Sequence, residues 1–139
     1  MRWARDGGVK LSSTFFAACG LFLAACGSTP SAASSGNTFL IVISSLSYIR
    51  QDLTVPPGAT IVVLNEDPMP HSVTSEASAD AFTPGAVAGV SFDASVPSNS
   101  QTSFEIPSTA PVGTVVPFYC SVHKNAMHTP NGSITIRAP

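Results

Sequence analysis

From Thr38 onward the chain is a succession of short runs rich in β-branched and aromatic residues, each closed off by turn-forming residues. "TFLIVIS" (38–44) is the densest. "DLTVPPGATIVVLNED" (52–67) reads as a short strand, a Pro-Pro-Gly turn and a second strand with alternating character. "HSVTS" (71–75), "QTSFEIP" (101–107), "VVPFYCSV" (115–122) and "GSITIRA" (132–138) continue the pattern. Thr102, Phe104 and Ile106 share one face of their run, and Ile134 and Ile136 share one face of theirs, because side chains alternate along a strand. Turn signals at 56–58, 97–99, 107–113 and 130–132 separate the runs. Six or more short strands in about 100 residues predict an all-β domain, a β-sandwich with Greek-key connections. Phe39, Phe82, Phe92, Phe104 and Phe118 are its candidate core aromatics. The segment 76–99 fits neither pattern cleanly: "EASADAF" suits a helical turn, while Pro84, Gly85 and Gly89 argue against a long helix.

Ahead of this domain stands "MRWARDGGVKLSSTFFAACGLFLAACGSTP". Arg2, Arg5 and Lys10 form a positive front, and the apolar stretch 11–25 is too short and interrupted for a membrane span, so 1–25 reads as a signal peptide. "LAAC" (23–26) resembles the bacterial lipobox at all four positions, which implies cleavage before Cys26 and a lipid on its sulfur. Cys19 fits less well, because Phe16 stands where Leu23 stands for Cys26; an ordinary secretory peptide cut nearby is the alternative. Ser28, in place of an aspartate, favours the outer membrane of a double-membraned bacterium. "GSTPSAASSGN" (27–37) is small and polar and reads as a tether. The expected organisation is therefore a leader (1–25), a lipidated Cys26 with its linker (26–37) and one folded domain (38–139), exported and anchored to the cell envelope on its periplasmic face or the cell surface.

Over 26–139, three basic residues (Arg50, Lys124, Arg137) against seven acidic ones leave a formal charge of −4. A mildly acidic domain without a basic patch does not bind nucleic acid. Of the chain's three cysteines, processing removes Cys19 and acylates Cys26. Cys120 is left as the lone thiol of an exported domain, with no partner for an internal disulfide. Such a thiol is buried, metal-bound or reactive. No nucleophile–base motif with an orienting third group accompanies it, so no enzymatic activity is expected.

Cys120 lies in "FYCSVHKNAMH" (118–128). Phe118 and Cys120 face the same way on a strand. His123 follows a two-residue turn, and Met127 lies four further on. One loop thus gathers a thiolate, an imidazole and a thioether. Upstream, "VVLNEDPMPHSVTS" supplies a second imidazole, His71, at the start of a strand after a polar turn. Glu66 and Asp67 read as the solvated part of that turn. Two imidazoles and a thiolate with a weak axial thioether form the donor set of a blue-copper centre. Structural zinc normally takes four strong ligands.

On "VPPGATIVVLNEDPMPHSVTS", "GTVVPFYCSVHKNAM" and "GSITI" the chain resembles the cupredoxins of the plastocyanin, pseudoazurin and amicyanin kind. The resemblance covers nearly the whole domain after the tether. It implies a cupredoxin-type sandwich with one copper ion held strongly by His71, Cys120 and His123 and weakly by Met127. It also implies that Asn65 braces the ligand loops. The interval from His123 to Met127 holds three residues (Lys124, Asn125, Ala126), against four in plastocyanin-like and two in amicyanin-like members. His128 falls where the plastocyanin spacing places the methionine, so His128 stands as an alternative axial donor beside Met127; Met69 and no axial side chain at all are the remaining alternatives.

The implied function is electron transfer by a Cu(I)/Cu(II) couple. The expected docking rim for redox partner proteins is Pro68, Met69, Pro70, Val122 and Ala126 around the His123 ring, with Lys124 as a lone charge beside it and the protein a monomer. Two other classes compete: copper sequestration or delivery without electron transfer, and a metal-free adhesion or ligand-binding sandwich.

Overall fold

The computed structural model describes residues 37–124, 126, 127 and 131–139. The leader, Cys26, the tether up to residue 36 and His128 lie outside the described residues. The described part contains eight strands: β1 (Thr38–Ile43), β2 (Asp52–Val55), β3 (Thr60–Asn65), β4 (His71–Ser75), β5 (Asp93–Val96), β6 (Ser100–Glu105), β7 (Val115–Tyr119) and β8 (Gly132–Ile136). Most follow the β-branched runs and stop where alternation meets a turn former. Pro56 follows β2, and Gly58 takes a positive φ of 77° in the turn that leads into β3, a conformation that costs glycine nothing.

The strands form two sheets, β1-β3-β6 and β2-β8-β7-β4-β5. The chain crosses repeatedly between them, as a Greek-key sandwich requires. Two pairs are parallel, β1 with β3 and β2 with β8; for the first, the intervening β2 lies in the opposite sheet, so the chain returns to β3 in the same direction as β1. All other pairs are antiparallel.

One expectation is corrected, and the segment left open at 76–99 takes a definite form. The strand predicted over 115–122 stops at Tyr119, so Cys120 is the first residue beyond it. The segment 76–99 contains no helix, and its last part forms β5, which pairs with β4 from His71↔Val96 to Thr74↔Asp93. The helical turn considered for "EASADAF" is replaced by a loop wrapped around a carboxylate. Buried Glu76 accepts the amides of Asp80 (3.0 Å) and Phe82 (2.8 Å), and both residues have positive φ.

Period-two alternation points Ile41 and Ile43, Ile61 and Val63, Val116 and Phe118, and Ile134 and Ile136 inward, all fully buried. Phe118 stands at the centre. Tyr48 meets it edge-on with ring centroids 5.0 Å apart, and Phe92 packs on it at 6.5 Å. Of the five candidate core aromatics, Phe118 and Phe92 are buried and Phe39, Phe82 and Phe104 are half-buried. β8 passes Phe118 at Gly132, its register partner. Any Cβ there would overlap the Phe118 ring and the Gln51 carbonyl oxygen.

β4 lies between β7 and β5 and is buried along its whole length. Pairing of Thr74 with Tyr119 carries the start of β4 and the end of β7 to the same end of the sandwich. His71 and Cys120, 49 residues apart in sequence, meet for that reason.

Candidate metal centre

His71 Nδ1 lies 3.7 Å from Cys120 Sγ and 3.2 Å from His123 Nδ1. One donor atom from each of the three residues falls within 4.8 Å of the others. An ion at ~2.0–2.1 Å from nitrogen and ~2.3 Å from sulfur, with its donors spread evenly in a plane, separates nitrogen from nitrogen by roughly 3.5 Å and nitrogen from sulfur by roughly 3.8 Å. The two spacings from His71 are close to these values, and the third falls within 4.8 Å, so the three side chains can converge on one shared ion with a small adjustment of the His123 ring or the Cys120 side chain. A soft thiolate with two imidazoles suits copper.

Each position has a local cause. His71 opens β4 on the same face as Val73, pointing inward, and is fully buried. Cys120 continues the inward face of β7 from Phe118; it is buried and unpaired. The Ser72 amide donates to Cys120 Sγ at 3.4 Å. Beside it, Ser72 Oγ accepts the Ser121 amide at 2.8 Å and contacts Ser121 Oγ and Thr74 Oγ1, both at 2.9 Å. These bonds lock the start of the Cys120 loop onto β4. His123 is half-buried and is the member of the trio that reaches the surface. Its carbonyl accepts the amides of Ala126 and Met127, both at 2.9 Å.

Met127 is buried in the same apolar cluster as Cys120, and its amide is bonded to the His123 carbonyl. Of its alternatives as axial donor, Met69 is half-buried and His128 is outside the described residues. Asn65 ends β3 with its side chain inward. Its Nδ2 donates to the carbonyls of Met69 (2.8 Å) and Pro97 (2.9 Å), and its Oδ1 accepts the Asp67 amide (3.0 Å). Asn65 therefore braces the loop that delivers His71 against the β5–β6 turn.

Sequence reasoning missed Asp67. The solvated turn expected at 66–67 is exposed only at Glu66; Asp67 is buried. Its Oδ2 lies 3.0 Å from His71 Nε2. Burial pulls the Asp67 carboxyl up, but the amides of Leu46 and Ser45 and the His71 ring together outweigh it and hold the group below the usual carboxylate range. Burial also lowers the His71 pKa, the Asp67 bond opposes this, and His123 adds to the lowering. His71 is therefore neutral at pH 7, the form that ligates a metal. A carboxylate only accepts hydrogen bonds, so Nε2 carries the ring proton and Nδ1 presents its lone pair to Cys120 and His123. An aspartate four residues before a candidate histidine was the available signal, but the amides that bury it come from the β1–β2 connection.

Lys124, expected as a lone charge, is exposed but engaged. Its Nζ donates to the Phe82 carbonyl at 3.0 Å and sits 5.8 Å from the centroid of the Tyr119 ring. With Phe82 packed edge-on, Tyr119 is buried beside Cys120.

A two-sheet Greek-key sandwich with one buried thiol and two imidazoles at one end defines a cupredoxin-type fold. Among solved structures the chain is similar to amicyanin. A copper(I) form of an amicyanin variant matches at 18% identity and TM-score 0.51, over 73% of this chain and 83% of that one. An oxidised variant matches at 19% and 0.50, over 71% and 81%. A reduced copper(I) form at pH 4 of a further variant matches at 14% and 0.52, over 73% and 84%. No protein-family model and no curated protein matches the chain.

Proposed function

We propose that the chain is a copper-binding electron-transfer protein. Its type 1 (blue) site has His71, Cys120 and His123 as strong donors and Met127 as the weak axial one. The observation that carries this reading is the convergence of two imidazole nitrogens and one buried thiol within 4.8 Å at one end of the sandwich. That amicyanin structures in oxidised and copper(I) forms share the fold supports it. A copper ion bound there supplies a one-electron Cu(I)/Cu(II) couple.

The protein's part is to hold the donors still. Cys120 is tied to β4 through Ser72, and His71 through Asp67 and the Asn65-braced loop. Donors that hardly move on a change of charge keep the reorganisation barrier low. His71 and Cys120 are sealed from water, which excludes side reactions at the thiol, while the His123 ring reaches the surface as the exit for the electron. Around it Pro68, Pro70, Val122 and Ala126 are exposed and Met69 is half-buried, an apolar rim on which redox partner proteins dock. A lipid on Cys26 holds the domain to the cell envelope.

The visible spectrum of purified, Cu(II)-loaded protein tests the reading. An intense blue band is expected, lost in Cys120→Ser and unaffected by His128→Ala. Met127→Leu keeps the band and raises the potential, because a weak sulfur donor to Cu(II) is removed. A pale spectrum from the unaltered protein contradicts the proposal. Preferential Cu(I) binding, with surrender of the ion to a competitor, assigns it instead to copper sequestration or delivery.

A further inference from the structure

Ser45 and Leu46, between β1 and β2, are consecutive non-glycine residues with φ of 55° and 56°. Left-handed backbone is disfavoured for an L-residue by the close approach of Cβ to the following carbonyl oxygen, so two in succession require compensation. Ser44 and Ser47 close the turn with mutual backbone bonds of 3.0 and 3.2 Å, and one side chain takes both central amides. The Ser45 amide donates to Asp67 Oδ1 at 2.6 Å and the Leu46 amide to Oδ2 at 2.9 Å. Two successive N–H groups converging on an anion form a backbone nest. Asp67 is held at its own backbone too, where its amide donates to Asn65 Oδ1 and its carbonyl accepts the Asn99 amide, both at 3.0 Å. Three separate segments therefore fix a buried carboxylate whose remaining bond is to His71 Nε2 at 3.0 Å.

We propose that Asp67 is a positioning residue for the metal centre. It locks the His71 ring in the Nε2–H tautomer with Nδ1 turned to Cys120 and His123, and its negative charge biases the site towards the oxidised ion. The tuning half rests on the copper reading above; the positioning half does not. The charge argument is one of sign and distance. A carboxylate one imidazole away stabilises an ion of charge +2 more than one of charge +1, in a setting where water screens little. The bond also makes the ring a stronger donor, as carboxylate–histidine pairs do at metal sites, where loss of the outer partner typically costs 10–100-fold in metal affinity.

The first arm of the test needs no metal. Long-range ¹H–¹⁵N spectra of the metal-free protein at neutral to mildly alkaline pH report the His71 tautomer. A single Nε2–H form is expected in the unaltered protein and a mixture in Asp67→Ala. Asp67→Asn keeps the shape but only one acceptor oxygen, so it drops either the Ser45 bond or the Leu46 and His71 bonds; its melting temperature, read beside its potential, separates loss of charge from loss of fold. In the copper-loaded protein, Asp67→Asn is expected to keep the blue band and raise the reduction potential by about 59 mV or more, the equivalent of a tenfold loss of preference for the oxidised ion. A His71 tautomer that carries its proton on Nδ1, or that does not respond to Asp67→Ala, overturns the positioning role. A fall in melting temperature with an unchanged potential in Asp67→Asn overturns the tuning role and leaves Asp67 a purely structural anchor. A colourless copper-loaded parent protein defeats the copper reading and with it the tuning, while the tautomer arm still decides the positioning.

Discussion

At the scale of single residues, the centre depends on buried polar atoms that find partners from distant strands. Tyr48 buries its ring against Phe118 and donates its hydroxyl to the Ser72 carbonyl at 2.6 Å, beside the amide that bonds Cys120. Tyr48→Phe removes that bond and is expected to cost about 1 kcal/mol in chemical denaturation. Burial first, then the charges of Cys120 and Glu76, push the Tyr48 hydroxyl far above the ordinary tyrosine range. A raised folded-state pKa keeps its stabilising contribution below the unfolded value of about 10 and forfeits it as pH rises beyond. Tyr48→Phe should therefore decline less steeply than the parent above that pH; identical slopes would show that Tyr48 carries none of the alkaline sensitivity. His71, Cys120 and His123 were legible in the sequence because thiol and imidazole are rare and their spacing is distinctive. Asp67 was not, because its burial is created by Ser45 and Leu46, more than 20 residues earlier.

At the scale of elements, the runs that announced themselves were those whose alternation serves the core. β1, β3, β6 and β8 pair β-branched or aromatic residues at period two, and all four were readable. β5 was not: "DASV" offers only Ala94 and Val96 to the interior and becomes a strand by pairing with β4. β7 ended earlier than its composition suggested, and that early end frees Cys120 to leave the sheet and meet His71. β8 lies tight against Phe118 at Gly132. Gly132→Ala forces the Phe118 ring or the Gln51 backbone aside, and overpacking of this kind costs roughly 1–3 kcal/mol or more. Equilibrium unfolding should report a loss in that range, with the core around Phe118 perturbed in aromatic NMR shifts. A neutral substitution would mean that β8 can slide away from β7.

At the scale of the whole molecule, the site adjoins an apolar core shared by both sheets, with Cys120 and Met127 as members of it. The fully buried isoleucine, valine and phenylalanine side chains of that core are each worth about 1.5–3 kcal/mol. The surface around His123 adds the second whole-molecule property. On the proposed reading of the apolar rim as a docking surface, two copies meet ring to ring, and Met69→Glu should slow electron self-exchange, measured by NMR line broadening in mixtures of reduced and oxidised protein, by tenfold or more at low salt. Rising ionic strength should relieve part of the loss; an unchanged rate would remove the rim from the electron's route. The central claim, that three side chains from β4, the end of β7 and the loop beyond it share one ion, is tested most directly by X-ray absorption fine structure of the copper-loaded protein. The account predicts two nitrogens at about 2.0 Å and one sulfur at about 2.3 Å in the first coordination shell; a shell of nitrogen and oxygen with no short sulfur would contradict it.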